Sequence, residues 1–276
     1  MYFDNFYRYN GGSFYVDKWH VQEYQLHIHS DIELQLILEG SVECHVAQRI
    51  YSLKQGDILL TNRKQPHALV QPSPNCMAIW LAINPSFCSP YYPELSITRF
   101  QDVFFGKDHP LNHELQQLII TIYDCFLEKR AYYAFTLLEI LNRIVRLLLI
   151  NSRHNLLSEA EVTHERQNGQ RIAQIIDFIE RNYAMQPRLE ELARRMELSA
   201  DYLSHFIKET LGVTYREYLT RIRLRHALEL MCSDKFTQLD ILLQTGFSDY
   251  RYFKNAFKRN YGYTPEAYIA MLRQKS

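Results

Sequence analysis

Shifted by fifty residues, segment 189–218 of this chain falls on segment 239–268 with seven identical pairs: Leu189/Leu239, Leu192/Leu242, Tyr202/Tyr252, Lys208/Lys258, Gly212/Gly262, Thr214/Thr264 and Tyr218/Tyr268. Roughly two identities in about thirty positions are expected at average residue usage, so one small unit is used twice. Leu203/Phe253 and Ile207/Phe257 also stay apolar. Each copy reads as a short amphipathic helix, a tight turn and a second helix stopped by glycine. Ser199 and Asp249 stand where an N-cap oxygen is wanted, and Gly212 and Gly262 where a left-handed C-cap is wanted. This is the helix-turn-helix pattern. Segment 215–231 predicts a rigid spacer between the copies, with Leu219, Ile222, Ala227 and Leu230 inward and Arg221, Arg223 and Arg225 interspersed. Ile172, Ile175, Ile176 and Ile179 predict a leading helix over 169–183.

Net charge is zero, with 31 basic and 31 acidic residues, which alone would argue against a DNA binder. The distribution argues for one. From Gly169 onward 17 Lys+Arg face 13 Asp+Glu, and the remainder carries 14 and 18. The basic excess is confined to the part that would meet phosphates. In such a unit the outward residues near the start of the second helix face base edges. In the first copy these are Asp201, Ser204 and His205; the shift yields Arg251, Lys254 and Asn255, with Tyr250 beside them. Arg forks onto guanine, Asn onto adenine, and Asp accepts from a cytosine amino group. Lys208 and Lys258 are placed to hold phosphates.

The run Gly246-Phe247, Tyr252-Phe253, Phe257-Lys258, Gly262, Thr264-Pro265 and Tyr268 resembles the signature of the AraC/XylS family of transcription regulators. Leu192-Ala193, Ser199, Tyr202-Leu203 and Gly212 are similar to that family's first unit, and the likeness spans about 171–273. The resemblance implies a homodimeric, ligand-responsive regulator, an activator in most members, that works with RNA polymerase. It also implies base and phosphate contacts from the positions named above. Leu242 stands where the family usually has Ala, and Ile269 where an Arg commonly follows the Tyr. The first implies altered packing of the second unit, the second one phosphate contact fewer.

Residues 13–83 alternate with period two. Ile32, Leu34, Leu36 and Leu38 share one face, Val42, Cys44 and Val46 continue the pattern, and turns fall at Glu39-Gly40 and Gln55-Gly56-Asp57. Strands at 58–60 and 76–83 complete a small antiparallel barrel or sandwich. Within it, His27, His29, Glu33 and Gly40, then Gly56 and Pro66-His67, resemble the two motifs of the cupin barrel. In metal-binding cupins three His and one Glu converge, which here implies His27, His29, Glu33 and His67. The family's sensor domains often keep this pattern around a small organic ligand, so the quartet is assigned to an effector. Tyr24 and Trp80 are expected to line its pocket. Sugar-responsive members make a carbohydrate the expected ligand; no metal and no cofactor are assigned.

Beyond Pro110 the period changes. Leu115, Leu118, Ile122 and Cys125, then Leu137, Leu141, Ile144 and Leu148, step by three and four and predict a helical hairpin. The second stripe, almost wholly large aliphatics, is read as a dimer seam as well as a cover for the barrel. The expected fold is multidomain α+β: a cupin-like β-barrel over 1–110, a hairpin over 111–151, a polar linker over 152–168, and an all-α domain with two helix-turn-helix units over 169–276.

Composition is that of an ordinary globular chain, 47% hydrophobic and 22% charged. Residues 1–10 lack a signal-peptide order, and 137–150 is interrupted by Glu139, Asn142, Arg143 and Arg146, so neither secretion nor membrane insertion is expected. Five scattered cysteines without a CxxC pair fit a reducing cytoplasm. No nucleophile–base set or phosphate loop is visible, and no catalytic residue is assigned. The expected partners are double-stranded DNA, a small-molecule effector and a second copy. The competing reading is a metal-dependent cupin enzyme with secondary DNA binding.

Overall fold

The alternating segment folds into antiparallel strands in the computed structural model, which describes residues 14–21, 24–233 and 236–273. The reading of residues 1–10 lies outside the described residues. Two compact units divide the chain, Met1–Gly169 and Gln170–Ser276.

In the first unit β1 (Phe14–His20), β3 (Ile32–Glu39), β6 (Ile58–Thr61), β8 (Met77–Ile83) and β10 (Phe104–Phe105) form a sheet in the order β1-β8-β3-β6-β10. A second sheet has the order β2-β7-β4-β5, from β2 (Tyr24–His27), β4 (Ser41–Val46), β5 (Arg49–Lys54) and β7 (His67–Val70). Among the described residues these strands form two facing sheets, a cupin-like jelly roll rather than one continuously hydrogen-bonded barrel. Successive side chains on a strand point to opposite faces, and β3 is buried on both. Ile32, Leu34 and Leu36 pack under the helices, whereas Ile37 joins Val42, Cys44, Val46, Leu53 and Leu69 between the sheets. Glu33 and Gln35, in phase with Ile37, are buried on that inner face.

The helical hairpin forms as α1 (Asn112–Glu128) and α2 (Tyr133–Asn151). Its role as a dimer seam is corrected. Leu137, Leu141, Ile144 and Leu148 are at most 1% exposed within a single chain and share one core with Leu34, Leu36, Ile79 and Leu81. Burying each such side chain contributes about 1.5–3 kcal/mol, and the sheet beneath already supplies the partner surface.

The expected linker is corrected too. Residues 154–156 form β11 (His154–Leu156) against β9 (Thr98–Phe100). Glu159 then starts α3 (Glu159–Asn182), which runs through the boundary between the units. Ser158 caps it, exchanging hydrogen bonds with Glu161.

In the second unit α4 (Leu189–Arg195) and α5 (Ala200–Leu211) form the first copy, α6 (Tyr215–Cys232) the spacer, α7 (Gln238–Thr245) and α8 (Tyr250–Tyr261) the second copy, and α9 (Pro265–Arg273) follows. Ser199 Oγ accepts from Tyr202 N–H and Asp249 from Arg251 N–H, the N-caps read from sequence. Gly212 and Gly262 close the two twelve-residue helices at φ +71° and +77°.

Candidate DNA-contacting helices and sensor site

Capping and periodicity decide which side chains α5 and α8 present. Leu203, Phe206, Ile207 and Leu211 turn into the domain from α5, and Phe253, Ala256 and Phe257 from α8. Apart from Tyr202, the residues left exposed on these helices are polar. Asp201, Ser204, His205 and Lys208 are exposed on α5, and Arg251, Asn255 and Lys258 on α8. Two expected contacts sit differently. Tyr250 is half-buried, its ring against Phe253 and its hydroxyl donating to Glu266. Lys254 is half-exposed, with Nζ 4.0 Å from the same carboxylate. Burial, and then Glu266, push the Tyr250 hydroxyl up to about 12, so it stays protonated and holds the start of α8 against α9.

Two spacer arginines serve structure. Arg223 is buried and donates from Nε to the Tyr183 carbonyl at 2.8 Å, and Arg225 pairs with Glu180 at 2.6 Å. Arg171, which sequence reasoning passed over, sits over the Tyr202 and Phe206 rings of α5 at 5.5 and 5.1 Å and donates to the Tyr202 hydroxyl.

Between the two sheets, His27, His29, Glu33 and His67 converge, with one donor atom from each lying within 4.8 Å of the others. His29 Nε2 is 2.9 Å and His67 Nε2 3.2 Å from the same Glu33 oxygen, Oε2. Tyr24 stands edge-on to His27 at 4.7 Å. Trp80 is the cross-strand partner of Gln35 and so shares the inner face, with its ring against Tyr15. Two buried polar residues on this face were missed, Gln35 and Thr61, the latter opposite Glu33. The i+2 spacing of Gln35 from Glu33 was the available signal for one; no sequence signal marked Thr61. Burial opposes the Glu33 charge, but His67 and His29 hold its carboxyl well below the usual range. Burial likewise opposes an imidazolium at His29, and Glu33 and Asp31 outweigh it and raise its pKa. Burial and the Glu33 charge push the Cys44 thiol up, leaving it protonated and unreactive.

The donor set fits a divalent transition metal. His67 Nδ1 lies 2.9 Å from the Gln65 carbonyl and His29 Nδ1 3.2 Å from that of Asp31. A carbonyl only accepts, so each Nδ1 carries a proton and each Nε2 is turned toward the carboxylate. Lone pairs facing a carboxylate oxygen repel unless a cation or further protons stand between them. Backbone carbonyls that fix the tautomer in this way are the usual outer partners of metal-binding imidazoles. His27, His29, His67 and Glu33 would hold the ion.

Two family models match this chain: a helix-turn-helix domain over residues 192–271 and an AraC-like ligand binding domain over residues 11–135. The virulence regulon transcriptional activator VirF of Yersinia enterocolitica is 22% identical over 258 residues, covering 90% of this chain and 92% of its own length. The transcriptional activator RhaS of Yersinia pestis (strain Pestoides F) is 34% identical over 95 residues, 34% of this chain and 35% of its own. Among solved structures, ToxT of Vibrio cholerae is similar at 15% identity and a TM-score of 0.47, covering 94% of this chain and 98% of its own.

Proposed function

The chain belongs to the AraC/XylS family of DNA-binding transcription regulators, and from that premise we propose that it is a cytoplasmic, ligand-responsive activator whose α5 and α8 read two successive major-groove segments. One observation carries the reading: two recognition helices of equal length, fifty residues apart, each with an exposed polar face beginning at its capped N-terminus. Asp201, Ser204 and His205 in one, and Arg251 and Asn255 in the other, contact bases. Lys208 and Lys258 hold phosphates. Tyr250 and Lys254 act through α9 and its Glu266. The names of VirF and RhaS support activation, and the matched ligand-binding model supports an effector held around His27, His29, Glu33 and His67. Resemblance to sugar-responsive members favours a carbohydrate as the organic effector, recruitment of RNA polymerase as the output, and a homodimer whose interface lies away from the Leu137 stripe. No described helix is long and apolar enough to cross a membrane. The relatives are regulators, and this chain is a regulator and not an enzyme.

Footprinting of the full-length protein on fragments selected from its source genome tests the reading. Protection of two major-groove segments about one turn apart is expected, weakening steeply as salt rises. Protection of a single segment would remove the two-helix mechanism.

A further inference from the structure

The segment joining β6 to β7 is stitched to its surroundings at nearly every residue. Asn62 exchanges two hydrogen bonds with the Phe100 backbone, at 2.9 and 2.8 Å. Lys64 N–H donates to the carbonyl of His29 at 2.6 Å. The Gln65 carbonyl accepts from His67 Nδ1, and the Pro66 carbonyl from Ala47 N–H. Residues 62–67 therefore hold one quartet imidazole directly and touch the backbone of a second.

From the same segment Arg63 reaches the other way. Its guanidinium meets Glu165 of α3 at 3.1 Å, with the two side chains only 9% and 14% exposed. The second Glu165 oxygen takes Arg99 of β9 at 2.6 Å. A buried charge that loses its partner is left uncompensated, so this pair resists separation. Six residues beyond Glu165 on the same helix, Arg171 packs on the rings of the recognition helix α5. Buried Ile172, Ile175, Phe178 and Ile179 continue the same helix into the DNA-binding unit.

We propose that Arg63 and Glu165 are positioning residues which pass occupancy of the His27, His29, Glu33 and His67 site by a divalent metal ion to α3, and through it to α5. The proposal rests on the reading of the chain as a ligand-responsive DNA-binding regulator. A metal drawing His67 and Glu33 onto itself shifts segment 62–67. Arg63 carries that shift to Glu165, which biases the helix that positions α5. Only an element with two arrangements of different ligand affinity can be switched in this way, and the ion pair is a direct link from segment 62–67 to the helix.

The test uses the full-length protein, Zn²⁺ or Mn²⁺ alone as the probe, and the selected operator. Calorimetry on the wild type is expected to show one metal per chain, and metal to change operator affinity by about tenfold, a typical coupling. Glu165→Gln and Arg63→Gln are expected to keep metal affinity within about threefold and to lose the metal-dependent change in DNA affinity. Hydrogen exchange should show metal protecting both 62–67 and 159–168 in the wild type, and only 62–67 in the variants. Either folded variant that retains the full change overturns the relay. Should both unfold, wild-type exchange decides: no metal-dependent protection at 159–168 overturns it as well. Absence of metal binding to the wild type with operator binding intact overturns the metal proposal alone. Absence of operator binding overturns the functional reading beneath it.

Discussion

The two helix-turn-helix units share one plan but differ in substance. The first is packed mainly by aliphatics, with Leu192, Leu203, Ile207 and Leu211 beside Phe206, whereas the second is packed by rings, with Phe247, Phe253, Phe257, Tyr261 and Tyr268 in one cluster. Helix α8 carries Arg251, Lys254, Lys258 and Arg259 with no acidic residue; α5 carries Lys208 against Asp201 and Glu209. The turns differ as well. Gly246 ends α7 at φ +72°, while in the first unit the left-handed residue is Glu197 at φ +56°. A duplicated fold has thus been divided between tasks. On the proposed reading the second unit would supply most of the attraction to phosphate, and the first would trade attraction for discrimination, since a carboxylate near the backbone penalises wrong sites.

The turns should show the largest effect. A Cβ on Gly246 would lie 2.6 Å from the Ala184 carbonyl oxygen. Gly246→Ala therefore combines left-handed strain with overpacking and should cost about 2–4 kcal/mol in denaturant unfolding. Glu197→Gly relieves the same backbone strain and should change stability by less than about 1 kcal/mol. Equal losses would erase the distinction between the turns.

Arg251→Ala and Asn255→Ala should each cost about 1–3 kcal/mol of operator binding and relax preference at one base pair. Asp201→Ala should instead raise binding to random DNA while lowering the ratio of operator to random affinity. Losses equal on both DNAs for all three variants would show that these side chains do not read bases.

A smaller effect concerns salt. Lys258→Ala should reduce the slope of log affinity against log salt by about 1, and Lys208→Ala, beside Glu209, by less. Identical slopes would mean that the two helices share the phosphate load.

The smallest effect is a pH dependence in the spacer that both units lean on. Hydrogen bonds from the Thr214 backbone and then its hydroxyl lower the Glu217 carboxyl pKa. Because the folded value is depressed, this stabilisation is present above the unfolded value of about 4.3 and is lost as pH falls through the folded one. Glu217→Gln should therefore lower the thermal midpoint slightly at pH 7 and leave it unchanged in strong acid.

Much of this was legible because local chemistry is written residue by residue. Ser199, Asp249, Gly212 and Gly262 cap helices through their own side chains or backbone freedom, so their roles survive without knowledge of neighbours. The quartet was legible only through the resemblance of its two segments to cupin motifs. Two readings failed where composition admits two environments. The polar run 152–168 suits a solvated loop and a solvated helix alike, and Gly169, with open space around it, does not interrupt α3. The spacing of Leu137, Leu141, Ile144 and Leu148 suits a dimer seam and a protomer core equally.

The sequence by itself therefore determined the repeat, its caps and the faces of α5 and α8, which follow from short-range periodicity and hydrogen-bonding chemistry, while the meeting of His27, His29, Glu33 and His67 was implied by the resemblance to cupin motifs. Only the tertiary structure decided that the α2 stripe lies on a sheet of its own chain, that Gln35 and Thr61 join the inner face, and that Glu165 receives Arg63 from 102 residues away. Those are outcomes of strand pairing and helix docking between segments far apart, where an apolar stripe or a lone charge has many candidate partners and only three-dimensional packing selects one.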